Sequence, residues 1–186
     1  MPVKKIDEDH LLDRLTEVFR LYGYEGASLS RISEATGLKR ASLYHRFPGG
    51  KEEMAQAVLQ RADEWFVSHI LEPLTQAGEP ASRIQEMAKR LGDFYGGGHH
   101  SCLLDSLSLG DEDVALRQHI DRSFTAWLGA LVNVARESGL SPDTAKVRAE
   151  EALIRIQGAL VMARATGETQ PFIRVLENLP VLLTTD

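Results

Sequence analysis

The sequence predicts an all-α protein, and three observations carry that assignment. Apolar residues recur at steps of three and four through almost every segment, the spacing that gathers them on one side of a helix. No segment shows the strict apolar–polar alternation of a half-buried strand. Gly and Pro fall mostly where one periodic stretch gives way to the next.

The elements follow in order. In DEDHLLDRLTEVFRLYGYEG the set Leu11, Leu12, Leu15, Val18, Phe19 and Tyr22 makes one apolar face, and Gly23 and Gly26 close the helix. Two short helical pieces occupy SLSRISEATGLKRASLYHRF, residues 28–47, split by Thr36-Gly37. Pro48-Gly49-Gly50 breaks the chain before KEEMAQAVLQRADEWFVSHILEPL, a long helix that Pro73 ends or kinks. Pro80 opens another helix to about Tyr95, where Gly96-Gly97-Gly98 stops it, and CLLDSLSL is a short apolar piece. Asp111 caps a helix from about Glu112 to Glu137, Ser141-Pro142 opens one to about Thr166-Gly167, and Pro171 opens the last. Nine helices and no strand are expected.

A chain of 186 residues buries enough apolar surface to need neither disulfide nor metal for stability. Its one cysteine, Cys102, excludes an internal disulfide framework and suits a reducing compartment. No apolar run resembles a signal peptide or approaches a membrane span, so a soluble, cytoplasmic protein is expected. The net charge of −6 is unevenly placed. Residues 1–55 hold nine basic and nine acidic side chains, and the whole deficit lies beyond them. From Ala35 to Lys51 there is no acidic residue, while Lys39, Arg40, Arg46 and Lys51 are present. Global charge weighs against nucleic acid, but binding depends on the local footprint.

Segment 28–47 has the parts of a helix-turn-helix. Ser28 suits an N-cap, Ile32 and Ala35 give a short apolar face, and Gly37 supplies the left-handed turn. Leu38, Leu43 and Phe47 anchor the second helix. Lys39, Arg40, Ser42, Tyr44, His45 and Arg46 are left for its other faces. Lys and Arg meet phosphates or guanine edges, Ser either, and small Ala41 permits approach to a thymine methyl. The following Gly-Gly-Lys opens a helix whose first amides, with Lys51, suit a phosphate. The bland alternative is an αα-hairpin with a solvated basic face; the agreement of turn, anchors and acid-free run favours DNA.

GASLSRISEATGLKRASLYHRFPGGKEEMAQAV resembles the DNA-binding head of the tetracycline-repressor (TetR) family of bacterial transcriptional regulators. The shared signature is the glycine-turned motif, the Leu-Tyr-x-x-Phe run of Leu43, Tyr44 and Phe47, and the Lys51-led helix start. PGGKEE, with Cys-Leu-Leu after the fifth helix, resembles the LmrA/YxaF-type subgroup. Ser33 departs from the family's usual alanine, and its hydroxyl is expected to bond the preceding helical carbonyl. The resemblance implies base contacts from Lys39, Arg40 and Ser42, and phosphate contacts from Ser28, Tyr44, His45 and Lys51. Tyr44 reads equally as partial core. The implied organisation is a DNA-binding head, 1–47, and a ligand-binding and dimerisation body, 48–186, linked by the helix from about 51.

In TAKVRAEEALIRIQGALVMARATG one apolar stripe holds Ala149, Ala152, Leu153, Ile156, Leu160 and Ala163, and a second holds Val147, Ile154, Val161 and Met162. A helix apolar on two sides is buried on two sides, either by its own core and a partner subunit or as a single unusually buried core helix. PFIRVLENLPVLL is similarly apolar. The expected homodimer interface comprises Leu153, Ile156, Leu160, Val161, Ala163, Leu176 and Leu179. Two heads then read a palindromic operator in double-stranded DNA. The resemblance also implies a small-molecule effector pocket, which we place at Trp65, Phe94, Tyr95, His99, Leu103, Leu107, Phe124 and Trp127; each of these also reads as plain core.

His99, His100, Cys102 and Asp105 are competent metal ligands and ground the rival reading, a small all-α enzyme or metal-binding protein. Adjacent histidines do not share a helical face, and no second cluster supplies paired spacing. Asp111-Glu112-Asp113 reads as helix-start charge rather than a catalytic pair. No cofactor, metal or catalytic residue is expected.

Overall fold

The computed structural model describes residues 6–108 and 114–185. Among these are nine α-helices and no strand. They are α1 (Glu8–Gly26), α2 (Leu29–Thr36), α3 (Arg40–Arg46), α4 (Lys51–Phe66), α5 (Pro80–Phe94), α6 (Leu103–Ser108), α7 (Val114–Glu137), α8 (Pro142–Thr166) and α9 (Gln170–Thr184). The chain forms two compact units: Met1–Ala62 with Leu103–Ile120, and Asp63–Cys102 with Asp121–Asp186.

In the first unit α1 packs on α2 and on α6, and α2 on α3. Leu11, Leu15 and Phe19 of α1, Ile32, Leu43, and Met54, Val58 and Leu59 of α4 are buried. Asp7 caps α1, its carboxylate accepting the His10 amide at 2.8 Å. Gly23 does not end α1. The helix passes through it in a kink at φ 66°, ψ −178°, and runs on to Gly26. A Cβ at Gly23 would stand 3.0 Å from the carbonyl oxygen of Ser106, so only glycine lets α6 seat against this kink.

In the second unit α9 packs against both α5 and α8. Ile84, Met87 and Leu91 of α5, Ala149, Ala152 and Ile156 of α8, and Phe172, Leu179 and Leu183 of α9 are buried. Ser141 caps α8 by accepting the Thr144 amide at 3.1 Å, and Gly167 ends it in the left-handed conformation.

The long fourth helix departs from expectation. Its α-helical part stops at Phe66, and the chain continues as a π turn over Val67–Leu71 and a 3-10 turn over Glu72–Thr75. Pro73 explains this, because it has no N–H for the carbonyl four residues back, that of His69. Arg90 of α5 supplies the missing donor, its Nη1 bonding the His69 carbonyl at 3.2 Å. Asp111 and its acidic neighbours, expected to start the next helix, lie outside the described residues.

Candidate nucleic-acid interface

The α2–turn–α3 segment is held by short-range bonds that its sequence dictates. Ser28 adopts the extended N-cap conformation and its Oγ accepts the Arg31 amide at 3.4 Å. Gly37 takes the left-handed conformation at φ 68°. Thr36, not Ala35, joins Ile32 on the buried face of α2; Ala35 is exposed. The Thr36 hydroxyl donates to the Ile32 carbonyl at 2.7 Å and accepts the Leu38 amide at 3.3 Å. Ser33 donates to the carbonyl of Leu38, across the turn, rather than to the preceding helical carbonyl. That bond satisfies a turn oxygen that an alanine would leave to water. Leu38, Leu43 and Phe47 are buried and fix the roll of α3.

With α3 so aimed, Lys39, Arg40, Ala41, Tyr44 and His45 are exposed and Ser42 is half-buried. Lys39 is the N-cap residue of α3 and its side chain makes no capping bond. Arg40 bonds Ser30 of α2 through Nη2 at 2.8 Å, which holds the guanidinium beside the turn. Tyr44 is only partly core. It is 46% exposed, yet its ring lies against Gly50, where a Cβ would come within 3.3 Å of Tyr44 Cε1. Gly50 has φ 70°, so it is glycine for backbone and packing reasons together.

Two cations of the acid-free run are employed inside the unit. Lys51, expected at a phosphate, bonds the Tyr24 carbonyl through Nζ at 3.0 Å and sits 4.2 Å from the centroid of the Tyr24 ring. It ties the start of α4 to the end of α1. Arg46 bonds the Ile6 carbonyl at 3.0 Å and ties the end of α3 to the chain before α1. Arg61 makes a third tie, with Nη1 at 2.8 Å from the Asp13 carboxylate. Lys51 and Arg46 reach partners 27 and 40 residues away, which no local pattern reveals. Lys39 and Arg40 remain as the exposed cations of the run.

The residues assigned to an effector pocket divide. Trp65, Phe94, Tyr95 and Trp127 come together in the second unit, with Phe66 between Phe94 and Trp127. Phe172 of α9, assigned on sequence to no pocket, joins through Tyr95 at a centroid distance of 5.9 Å. Phe124 is half-buried and His99 is exposed. Leu103 and Leu107 are buried on α6, in the first unit. An open cleft of about 470 Å3 lies between α5 and α9, lined by Ala88, Gly92, Phe172, Leu176 and Pro180 among others.

The expected dimer set needs correction. Leu153, Ile156, Leu160, Ala163, Leu176 and Leu179 are buried within the single chain, where α8 and α9 pack together. Val161 is exposed, as are Val147, Ile154 and Met162 of the second stripe and Val181 of α9. Of the rival segment, His99 and His100 are exposed, Cys102 is buried, and the Tyr95 hydroxyl lies 3.5 Å from its Sγ. Among the described residues no group of three His, Cys, Asp or Glu side chains is placed to hold a metal.

Residues 11–58 match the family model described as bacterial regulatory proteins, tetR family, and residues 80–178 match that of the transcriptional regulator LmrA/YxaF-like C-terminal domain. The chain is 26% identical over 186 residues to the HTH-type transcriptional regulator LmrA of Bacillus subtilis, covering 94% of this chain and 95% of that one. Its fold is similar to that of a TetR transcriptional regulator from Legionella pneumophila, with TM-score 0.82, 18% identity, and 96% and 97% of the two chains covered. It is also similar to a cysteine mutant of the TetR-family regulator CifR solved with 26-base-pair operator DNA, with TM-score 0.77, 21% identity, and 96% and 98% covered.

Proposed function

The chain belongs to the tetR family of bacterial regulatory proteins, with a C-terminal domain of the LmrA/YxaF-like type, and from that premise we propose that it is a dimeric repressor released from a palindromic operator by a small, largely apolar effector. It is a DNA-binding transcriptional regulator with the all-α fold of that family. The observation that carries the DNA-binding assignment is the exposed face of α3. Lys39, Arg40, Ala41, Tyr44 and His45 stand out from a helix aimed by buried Leu38, Leu43 and Phe47, with no acid between Ala35 and Lys51. Arg40 and Lys39 are assigned to base edges and phosphates, with Ser42 and Tyr44 beside them. Residues 1–47 form the DNA-binding part and 48–186 the effector-binding and dimerisation part, acting in the cytoplasm.

The partner subunit is a second copy of this chain, docked on the exposed stripe of α8. Val147, Ile154 and Val161 are seven residues apart and fall on one line of the helix, with exposed Gly158 between the last two. Two copies give two recognition helices, which bind a two-fold site that one short helix holds weakly. The effector acts by preferring a dimer whose heads no longer match the half-sites. Anisotropy titration of a labelled promoter fragment tests the reading. Affinity is expected to fall steeply with salt, and Arg40→Ala to lose about 1–3 kcal/mol while relaxing sequence preference. Unchanged affinity and preference in Arg40→Ala would show that α3 is not the reading helix.

A further inference from the structure

Ser30 of α2 and Arg40 of α3 meet across the Gly37 turn, ten residues apart in the chain. Arg40 Nη2 donates to the Ser30 hydroxyl at 2.8 Å, and both side chains are exposed. Local structure does not account for the serine. The N-cap of α2 is Ser28, whose Oγ accepts the Arg31 amide, so the Ser30 hydroxyl has no capping task. Inside a helix, serine is a poorer former than alanine. Nor does the bond add much to stability, because both partners are open to water. What it does is restrict the guanidinium. An unrestrained arginine loses much rotamer freedom when it docks, and a partner that holds it beforehand removes part of that loss. The bond occupies one of several guanidinium N–H donors, which leaves parallel donors for the O6 and N7 of a guanine. A carboxylate at this position would hold Arg40 more firmly, but it would cancel the charge and repel phosphates. The hydroxyl holds Arg40 and leaves its charge in place.

We propose that Ser30 is a positioning residue for sequence recognition: it aims the Arg40 guanidinium at one base pair and so sharpens the preference at that pair. The proposal rests on the reading of α3 as the recognition helix and adds α2 to what sets its specificity. Ser30 acts through Arg40 and not by a contact of its own with DNA, so its effect vanishes when Arg40 is absent.

The test uses the full chain and the duplex it selects from a randomised library. Arg40→Ala identifies the base pair that Arg40 reads, as the one where discrimination is lost. At that pair, Ser30→Ala is expected to lower the affinity ratio of the selected duplex to its single-pair variants about three- to tenfold, the worth of one hydrogen bond. Ratios at the other pairs and the melting temperature are expected to stay unchanged. Ser30→Thr, which keeps the hydroxyl, is expected to retain the ratio. In the Arg40→Ala background, Ser30→Ala is expected to change nothing. An unchanged ratio in Ser30→Ala, or a lost one in Ser30→Thr, overturns the proposal. So does a loss uniform across all duplexes, which marks a structural role, or one that persists without Arg40, which marks a direct contact of Ser30. Those results leave the DNA-binding reading standing. An Arg40→Ala chain that discriminates as the wild type does, or a wild type that selects no duplex, overturns that reading and the proposal with it.

Discussion

Ile154 and Ile156 stand two residues apart on α8, and a glutamate at each is expected to do opposite things. Ile154 is 70% exposed in the single chain and Ile156 is 0% exposed. Full burial of such a side chain is worth about 1.5–3 kcal/mol, so covering what Ile154 exposes is worth about 1–2 kcal/mol. A two-fold interface presents the residue twice, which gives about 2–4 kcal/mol per dimer. Ile154→Glu should therefore raise the dimer dissociation constant about thirty- to a thousandfold, with more from the buried charge, while leaving the monomer fold intact. Ile156→Glu should instead unfold the second unit, since it places an unpaired charge in the core. Sedimentation across a micromolar concentration series, with circular dichroism on the same samples, separates these outcomes. An Ile154→Glu protein that stays dimeric and helical at sub-micromolar concentration would refute the assignment of this stripe to a partner. A folded monomer from Ile156→Glu would refute the inside–outside division of α8.

Three further outcomes are expected. Gly23→Ala should destabilise the chain by at least about 2 kcal/mol in urea, because φ 66°, ψ −178° is a glycine-only region and the new methyl meets the Ser106 carbonyl at 3.0 Å. Lys51→Gln should lower stability by about 1–3 kcal/mol through loss of its charged bond and ring contact with Tyr24. The salt slope of operator binding should stay nearly unchanged, whereas a lysine that neutralised a phosphate would lower the slope by about one. Thr36→Val should cost about 1–2 kcal/mol in thermal or urea unfolding, since it leaves the Leu38 amide in the turn without its acceptor.

Lys51 fastens the start of α4 to Tyr24 near the end of α1, and Arg61, ten residues on, fastens it to Asp13 near the beginning. Leu59, Val58 and Met54 are buried between these ends. The first three turns of α4 thus lie in the compact unit that carries the recognition helix. Arg61–Asp13 is solvent-exposed and adds little to stability, so its part is alignment.

What the sequence by itself determined is what neighbours within about four residues decide. Ser28 and Ser141 as caps, Gly37 and Gly167 as left-handed ends, Pro80 and Pro142 as first-turn residues, and the face carrying Lys39 and Arg40 all depend on local backbone bonding. Tertiary structure alone decided the rest, because the deciding partner lay far away in the chain. The bonds of Lys51 and Arg46 to the Tyr24 and Ile6 carbonyls join residues 27 and 40 positions apart, which local pattern does not reveal. Leu103 and Leu107 have the same apolar spacing as the pocket candidates, and only the packing of α6 on α1 places them in the first unit. On α8 both stripes have helical spacing and similar apolar content, so periodicity does not rank them. The packing of α9 turns Ile156 inward and leaves Ile154 to solvent, because a helix buries whichever stripe its neighbour covers.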